Sequence, residues 1–157
     1  MTRELLFACS WPILALQTAS AGIVPSDRLL DAIARVESGV KPWAVGDGGK
    51  ALGAFQIHAA AWSDVNRVRE KEGRIQHRHS AAFNPAVARE YAREYLTLLN
   101  IELAKALGRY PAPSETYAAY NLGFAGFKRR GFKVDNCPVT TRKACARVDT
   151  LTKWGKE

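Results

Sequence analysis

Glu37 is the residue of this chain whose surroundings would change its chemistry. Leu29, Leu30, Ile33 and Val36 recur at helical spacing, and Glu37 falls four residues after Ile33 and seven after Leu30, inside the apolar stripe. Gly39 and Pro42 then stop the helix, so Glu37 occupies its last turn, beside orphan carbonyls and the negative end of the macrodipole. Apolar burial and the dipole both raise a carboxyl pKa. A carboxylic acid that keeps its proton near neutral pH can protonate a leaving group, as glycosidic bond cleavage requires. The competing reading is ordinary: a Glu at the edge of an apolar stripe tilts out to solvent or pairs with Lys or Arg.

Other residues bear on the choice. Gln56, within Gly53-Ala54-Phe55-Gln56-Ile57, offers a donor and acceptors beside a glycine that admits close backbone approach. Alone it reads as a helix-surface residue. In Ala119-Tyr120-Asn121-Leu122-Gly123, Tyr120 alone reads as core and Asn121 as a polar helix end. Asp47 is the only acid between Glu37 and Gln56. It is either a turn residue among glycines or a second carboxylate, which a retaining glycosidase holds about 5 Å from the first. His77 and His79 suggest a metal, but no Cys, Asp or Glu stands close at ligand spacing, and a solvated loop is the simpler reading.

The elements that must position these residues are mostly helices. Ser26 is an N-cap and Asp27 a favourable first-turn acid for the helix that ends at Glu37. Gly46-Asp47-Gly48-Gly49 predicts a small turn or hairpin forming one wall of a cleft. A helical piece is expected from Gly53 through Trp62, Val65 and Val68, then a charge-dense solvated stretch from Arg67 to His79. Asn84-Pro85 reads as N-cap and N1 of a long helix ending at Gly108, with Val87, Tyr91, Tyr95, Leu98, Leu99 and Ile101 as core contacts. Ser114 can cap a helix carrying Tyr117, Tyr120 and Asn121 on one face and ending at Gly123. Pro138 opens a last helix with Cys145, Val148, Leu151 and Trp154 as its packing face.

Taken in order and spacing, Glu37-Ser38-Gly39, Gly53 to Ile57 and Ala119 to Gly123 resemble the lytic transglycosylase domain of the soluble (SLT) type, in the lysozyme-like superfamily, over about residues 25 to 130. The resemblance implies a mainly α, lysozyme-like single domain with a small loop or β-hairpin wall beside the catalytic helix. It implies peptidoglycan glycan strands as substrate, cut between N-acetylmuramic acid and N-acetylglucosamine with 1,6-anhydromuramoyl ends as product. Glu37 would act first as acid and then as base, and no metal or organic cofactor is implied. Ser38 would orient Glu37 or the N-acetyl group, Gln56 would position substrate or Glu37, and Tyr120 and Asn121 would line the saccharide site. Two rivals stay open: a hydrolytic muramidase using Asp47, and a non-catalytic wall-binding or assembly protein. By analogy with small domains of this kind, the chain would act as a monomer, as an accessory to a cell-envelope secretion or conjugation apparatus.

Length and composition agree with one globular domain: 157 residues, 47% hydrophobic and 24% charged. Leu5 to Leu16 is an apolar run too short to span a bilayer, followed by Ala19-Ser20-Ala21. This predicts a signal peptide over residues 1–21, cleaved after Ala21, a domain over 22–157, and a periplasmic or secreted location. An uncleaved membrane-proximal anchor is the alternative. The leader takes one Arg and one Glu with it, so the net charge of +8 belongs to the mature protein. From Phe124 onward nine Lys or Arg face three acids, a bias that serves nucleic acid, membrane or an anionic polymer. Export selects the wall and excludes nucleic acid. Cys137 and Cys145 are the cysteines left after cleavage, and in an exported chain they predict a disulfide closing a short loop, contributing about 2–3 kcal/mol.

Overall fold

Helix α1, Asp27–Glu37, begins where the Ser26 side chain accepts from the Leu29 N–H at 3.2 Å, satisfying one of the donors that a helix start leaves orphaned. It ends where Val40 N–H returns to the Ala34 carbonyl at 3.1 Å and Gly39 turns left-handed at φ 67°. The structure, a computed structural model, describes residues 23–153. The leader expected over residues 1–21 and the packing expected of Trp154 lie outside the described residues.

Beside the end of α1 stand three two-residue strands, β1 (Val45–Gly46), β2 (Ala51–Leu52) and β3 (Ile57–His58), in the antiparallel order β1-β2-β3. Val45 faces Leu52, and Ala51 faces His58. The glycine-rich stretch expected to turn does so over Asp47–Gly49, with all three residues at positive φ (47°, 63° and 92°). The segment 53–56 was expected to open a helix and does not. Gly53 (φ 74°) and Gln56 (φ 49°) are both left-handed, and the chain turns into β3 instead. Close approach imposes this at Gly53, where a Cβ would stand 2.0 Å from the Ala82 carbonyl oxygen.

Helix α2 therefore starts only at Ala59 and runs to Lys71, burying Ala61, Trp62 and Val65. The stretch from Arg67 to His79 is not a solvated loop throughout. Arg69 is 2% exposed and lies 4.2 Å over the Tyr91 ring. His77 and His79 also belong to this packing: Trp62 Nε1 donates to the His77 carbonyl at 2.8 Å, and His79 Nε2 hydrogen-bonds the Ile57 carbonyl at 2.7 Å.

Helix α3, Pro85–Leu107, has the ends its sequence predicts: Asn84 Oδ1 accepts from Ala86 and Val87 N–H, and Gly108 closes it at φ 68°. Its buried face is Ala88, Tyr91, Ala92, Leu96, Leu99 and Leu103, with Asn100. Val87, Tyr95, Leu98 and Ile101 are only half-buried, so the true core stripe is rotated from the expected one. Helix α4, Pro113–Leu122, is capped at Ala112 rather than at Ser114. Glu115 reaches back to accept from the Ala112 N–H at 2.7 Å, while Ser114 N–H donates to Asp149. Short α5 (Phe124–Lys128) and a 3₁₀ turn (Val134–Asn136) lead to α6, Val139–Lys153, which packs on α1 and α4.

The architecture is mainly α with a small sheet against the end of α1, as the sequence predicts. One core runs through Leu30, Ile33, Trp62, Tyr91, Leu96 and Phe127, each such burial contributing about 1.5–3 kcal/mol. The expected disulfide is absent: Cys137 and Cys145 are free thiols, both buried. Each is satisfied by a backbone carbonyl instead, Lys133 at 3.6 Å and Ser114 at 3.4 Å, and burial pushes the Cys145 thiol up to about 12.

Candidate active site

Three segments far apart in sequence meet at Glu37. α1 delivers the carboxyl, half-buried in its last turn. α4 delivers Tyr117, 2% exposed, whose hydroxyl donates to Glu37 Oε1 at 2.8 Å across 80 residues of chain. The sheet supplies the third side through Asp47 and His58. Burial of Glu37 is the largest influence and raises its pKa, against a smaller lowering by the Tyr117 hydrogen bond. The Asp47 charge raises it further and His58 lowers it, and the net direction is up. Among the described residues no Lys or Arg forms a salt bridge with Glu37, so the surface-pair reading does not describe this residue.

The sequence does not single out Tyr117 as a site residue. Its helical face was legible, but nothing in the local pattern announces a contact with Glu37. Burial and the Glu37 carboxylate push the Tyr117 phenol far above its ordinary range. The hydroxyl therefore stays protonated and remains a donor at any working pH. It orients one oxygen of Glu37, and among the described residues the other accepts no hydrogen bond.

Gln56, Tyr120 and Asn121, predicted from separate motifs, do come together. With His58, Tyr95 and Gly123 they line a groove of about 200 Å³. Tyr120 donates to the Phe55 carbonyl at 2.5 Å, tying α4 to the corner before β3. The ring of Tyr117 lies 6.4 Å from that of Tyr120, so Tyr117 connects Glu37, its hydrogen-bond partner, to one residue of the groove lining, while Glu37 itself stands outside that lining. Gln56 Nε2 donates to the Gly53 carbonyl at 2.9 Å, and its Oε1 occupies the space a side chain at Gly46 would need. Asn121 is exposed at the groove mouth, its Oδ1 accepting from Thr141 at 2.8 Å.

Ser38 points elsewhere. Its hydroxyl donates to the Ala54 carbonyl at 2.7 Å and accepts from Lys41 N–H at 3.0 Å, clamping the end of α1 to the sheet corner. It makes no hydrogen bond to Glu37, so any effect on the acid passes through the backbone. Asp47 is exposed and left-handed (φ 47°), and its Oδ2 pairs with His58 Nε2 at 2.8 Å. Asp47 thus has a partner of its own, and its influence on Glu37 is a through-space charge.

A partly desolvated carboxyl, one oxygen held by a permanently protonated phenol, beside a polar groove with amide and phenol groups, can protonate an ether oxygen and take a proton back. The groove offers hydrogen bonds and stacking faces rather than fixed charges, which suits a neutral sugar. Among the described residues no helix is long and apolar enough to cross a membrane. A family model described as Transglycosylase SLT domain matches residues 17–136. No curated protein matches the chain.

Proposed function

Because the chain belongs to the transglycosylase SLT domain family, whose members cleave peptidoglycan, we propose that Glu37 is the sole acid and base of a lytic cut between N-acetylmuramic acid and N-acetylglucosamine. The observation that carries this reading is the Glu37 carboxyl itself: half-buried, raised in pKa, held by the Tyr117 hydroxyl and in no salt bridge among the described residues.

The proton inventory closes on one residue. Protonated Glu37 gives its proton to the glycosidic oxygen, and the bond from that oxygen to the muramoyl C1 breaks as positive charge develops on the ring. The resulting carboxylate then removes the proton of the muramoyl C6 hydroxyl, whose oxygen closes on C1. A 1,6-anhydro end forms, no water is consumed, and Glu37 is protonated again. Gln56, Tyr120 and Asn121 hold the saccharide, and Ser38 supports the position of the α1 end. Asp47, engaged by His58, raises the acid's pKa rather than activating water.

Action on peptidoglycan agrees with a periplasmic or secreted protein, working as a monomer and opening the wall locally for a secretion or conjugation apparatus. Digestion of sacculi by wild type and Asp47→Asn tests the chemistry. Anhydro ends at similar rates from both support this reading, whereas reducing ends lost in Asp47→Asn would select a hydrolase.

A further inference from the structure

Upstream of α5 most of the arginines are paired, Arg67 with Asp64 among them, while Arg35 and Arg78 form no salt bridge among the described residues. Arg69, Arg74, Arg89, Arg93 and Arg109 all form salt bridges to carboxylates. Downstream the pattern reverses. Among the described residues from Phe124 on there are eight Lys or Arg and two acids, Asp135 and Asp149. None of those eight cations forms a salt bridge, since every pair among the described residues lies between Asp27 and Glu115. Arg142 and Arg130 are instead anchored by the backbone carbonyls of Asp135 and Gly126, at 3.0 and 2.8 Å. Their charge stays uncompensated while their position is fixed.

This surface adjoins the groove. Gly123 lines the groove and caps α5, and Thr141, next to Arg142, donates to Asn121 at the groove mouth. Lys128, Arg129, Lys133, Arg142, Lys143 and Arg147 are all exposed around this corner. Like charges gathered on one face repel, and solubility alone is served as well by interspersed signs. On the reading that the groove takes glycan, which is neutral, the anionic component at its mouth is the pendant stem peptide. We infer that the α5–α6 surface docks the carboxylates of peptidoglycan stem peptides while the glycan strand occupies the groove.

Exposed charges act through solvent, and the Debye length shrinks from about 10 Å at 0.1 M salt to about 3 Å at 1 M. The test uses the full chain and two probes: intact sacculi, and glycan strands from which an amidase has removed the stem peptides. Wild type should bind the intact material at least about tenfold more tightly at low salt and lose that preference at high salt. The variant Lys128→Gln, Arg129→Gln, Lys143→Gln, Arg147→Gln should bind both probes at the stripped-strand level. Its cleavage of stripped strands should match wild type, which also reports that it is folded. A wild type indifferent to the peptides, or a variant that keeps the preference and its salt slope, overturns the inference. Failure of wild type to cleave either probe would count against Glu37 instead, and the binding comparison would still decide the docking question.

Discussion

Two half-buried glutamates, Glu37 at the end of α1 and Glu94 in α3, have opposite chemistry. For both, burial is the largest influence and pushes the pKa up. At Glu94 two guanidinia outweigh it: Arg69 reaches Oε1 at 2.6 Å and Oε2 at 3.0 Å, Arg74 adds bonds at 2.7 and 3.2 Å, and the carboxyl is held below its ordinary range. At Glu37 the only hydrogen-bond partner among the described residues is a phenol, and the carboxyl's pKa stays raised. Burial alone therefore does not mark a catalytic acid. A buried carboxylate among arginines is a structural joint; the same group beside a neutral donor has its pKa pushed upward, the direction that proton donation requires.

The contrast can be broken most severely at Glu37. Glu37→Gln keeps the shape but cannot donate a proton, so turnover of sacculi should fall by about 10²–10⁴-fold. Thermal melts should show the opposite of damage. The raised pKa means that the stability Glu37 contributes is full below its unfolded pKa of about 4.3 and is lost as pH rises through the folded value. Glu37→Gln should then melt at or above wild type at neutral pH, an advantage that vanishes in acid. A lower melting point at neutral pH would show that Glu37 is paired in solution.

Glu94→Gln should do the reverse. It leaves Arg69 buried with a weakened partner, a loss of about 2 kcal/mol, with turnover within about twofold of wild type. Here the folded pKa is lowered, so the contribution is full at neutral pH and is lost as pH falls through the folded value. The deficit should shrink in acid, as pH-dependent denaturation would show. Tyr117→Phe sharpens the contrast from the other side. Removing the bond that lowers the Glu37 pKa should move the alkaline limb of the rate profile upward, while lost orientation reduces turnover about tenfold, or about 1.4 kcal/mol. An unchanged limb would remove Tyr117 from the site. The smallest effect is expected for Asp47→Asn, an exposed pair worth at most about 1 kcal/mol, with the rate changing less than about threefold.

What was legible in the sequence was what local patterns encode. Ser26, Asn84, Pro85, Gly39 and Gly108 end their helices as expected because caps and left-handed glycines act within one turn. Glu37 was legible as a carboxyl in an apolar stripe. Its Tyr117 partner was not, because the contact spans 80 residues. Arg69 hid in a charge-dense run that composition assigns to solvent, while its burial depends on Glu94 and Tyr91 in another helix. The Ser38 hydroxyl turns to the Ala54 carbonyl and Gln56 takes a left-handed backbone at a sheet corner whose Gly53 lies against the Ala82 carbonyl, contacts between distant segments that no local pattern encodes. The cysteine pair followed from compartment alone, and the fold gave each thiol its own carbonyl.

In the proposed reaction one carboxyl, Glu37, serves as both acid and base. Mass spectrometry of the muropeptides released by wild type and by Glu37→Gln tests it most directly. If Glu37 is that group, 1,6-anhydromuramoyl ends are the main wild-type product, formed without incorporation of oxygen from labelled water and lost in the variant. Reducing muramoyl ends carrying the solvent oxygen, or anhydro ends that persist in Glu37→Gln, would contradict it.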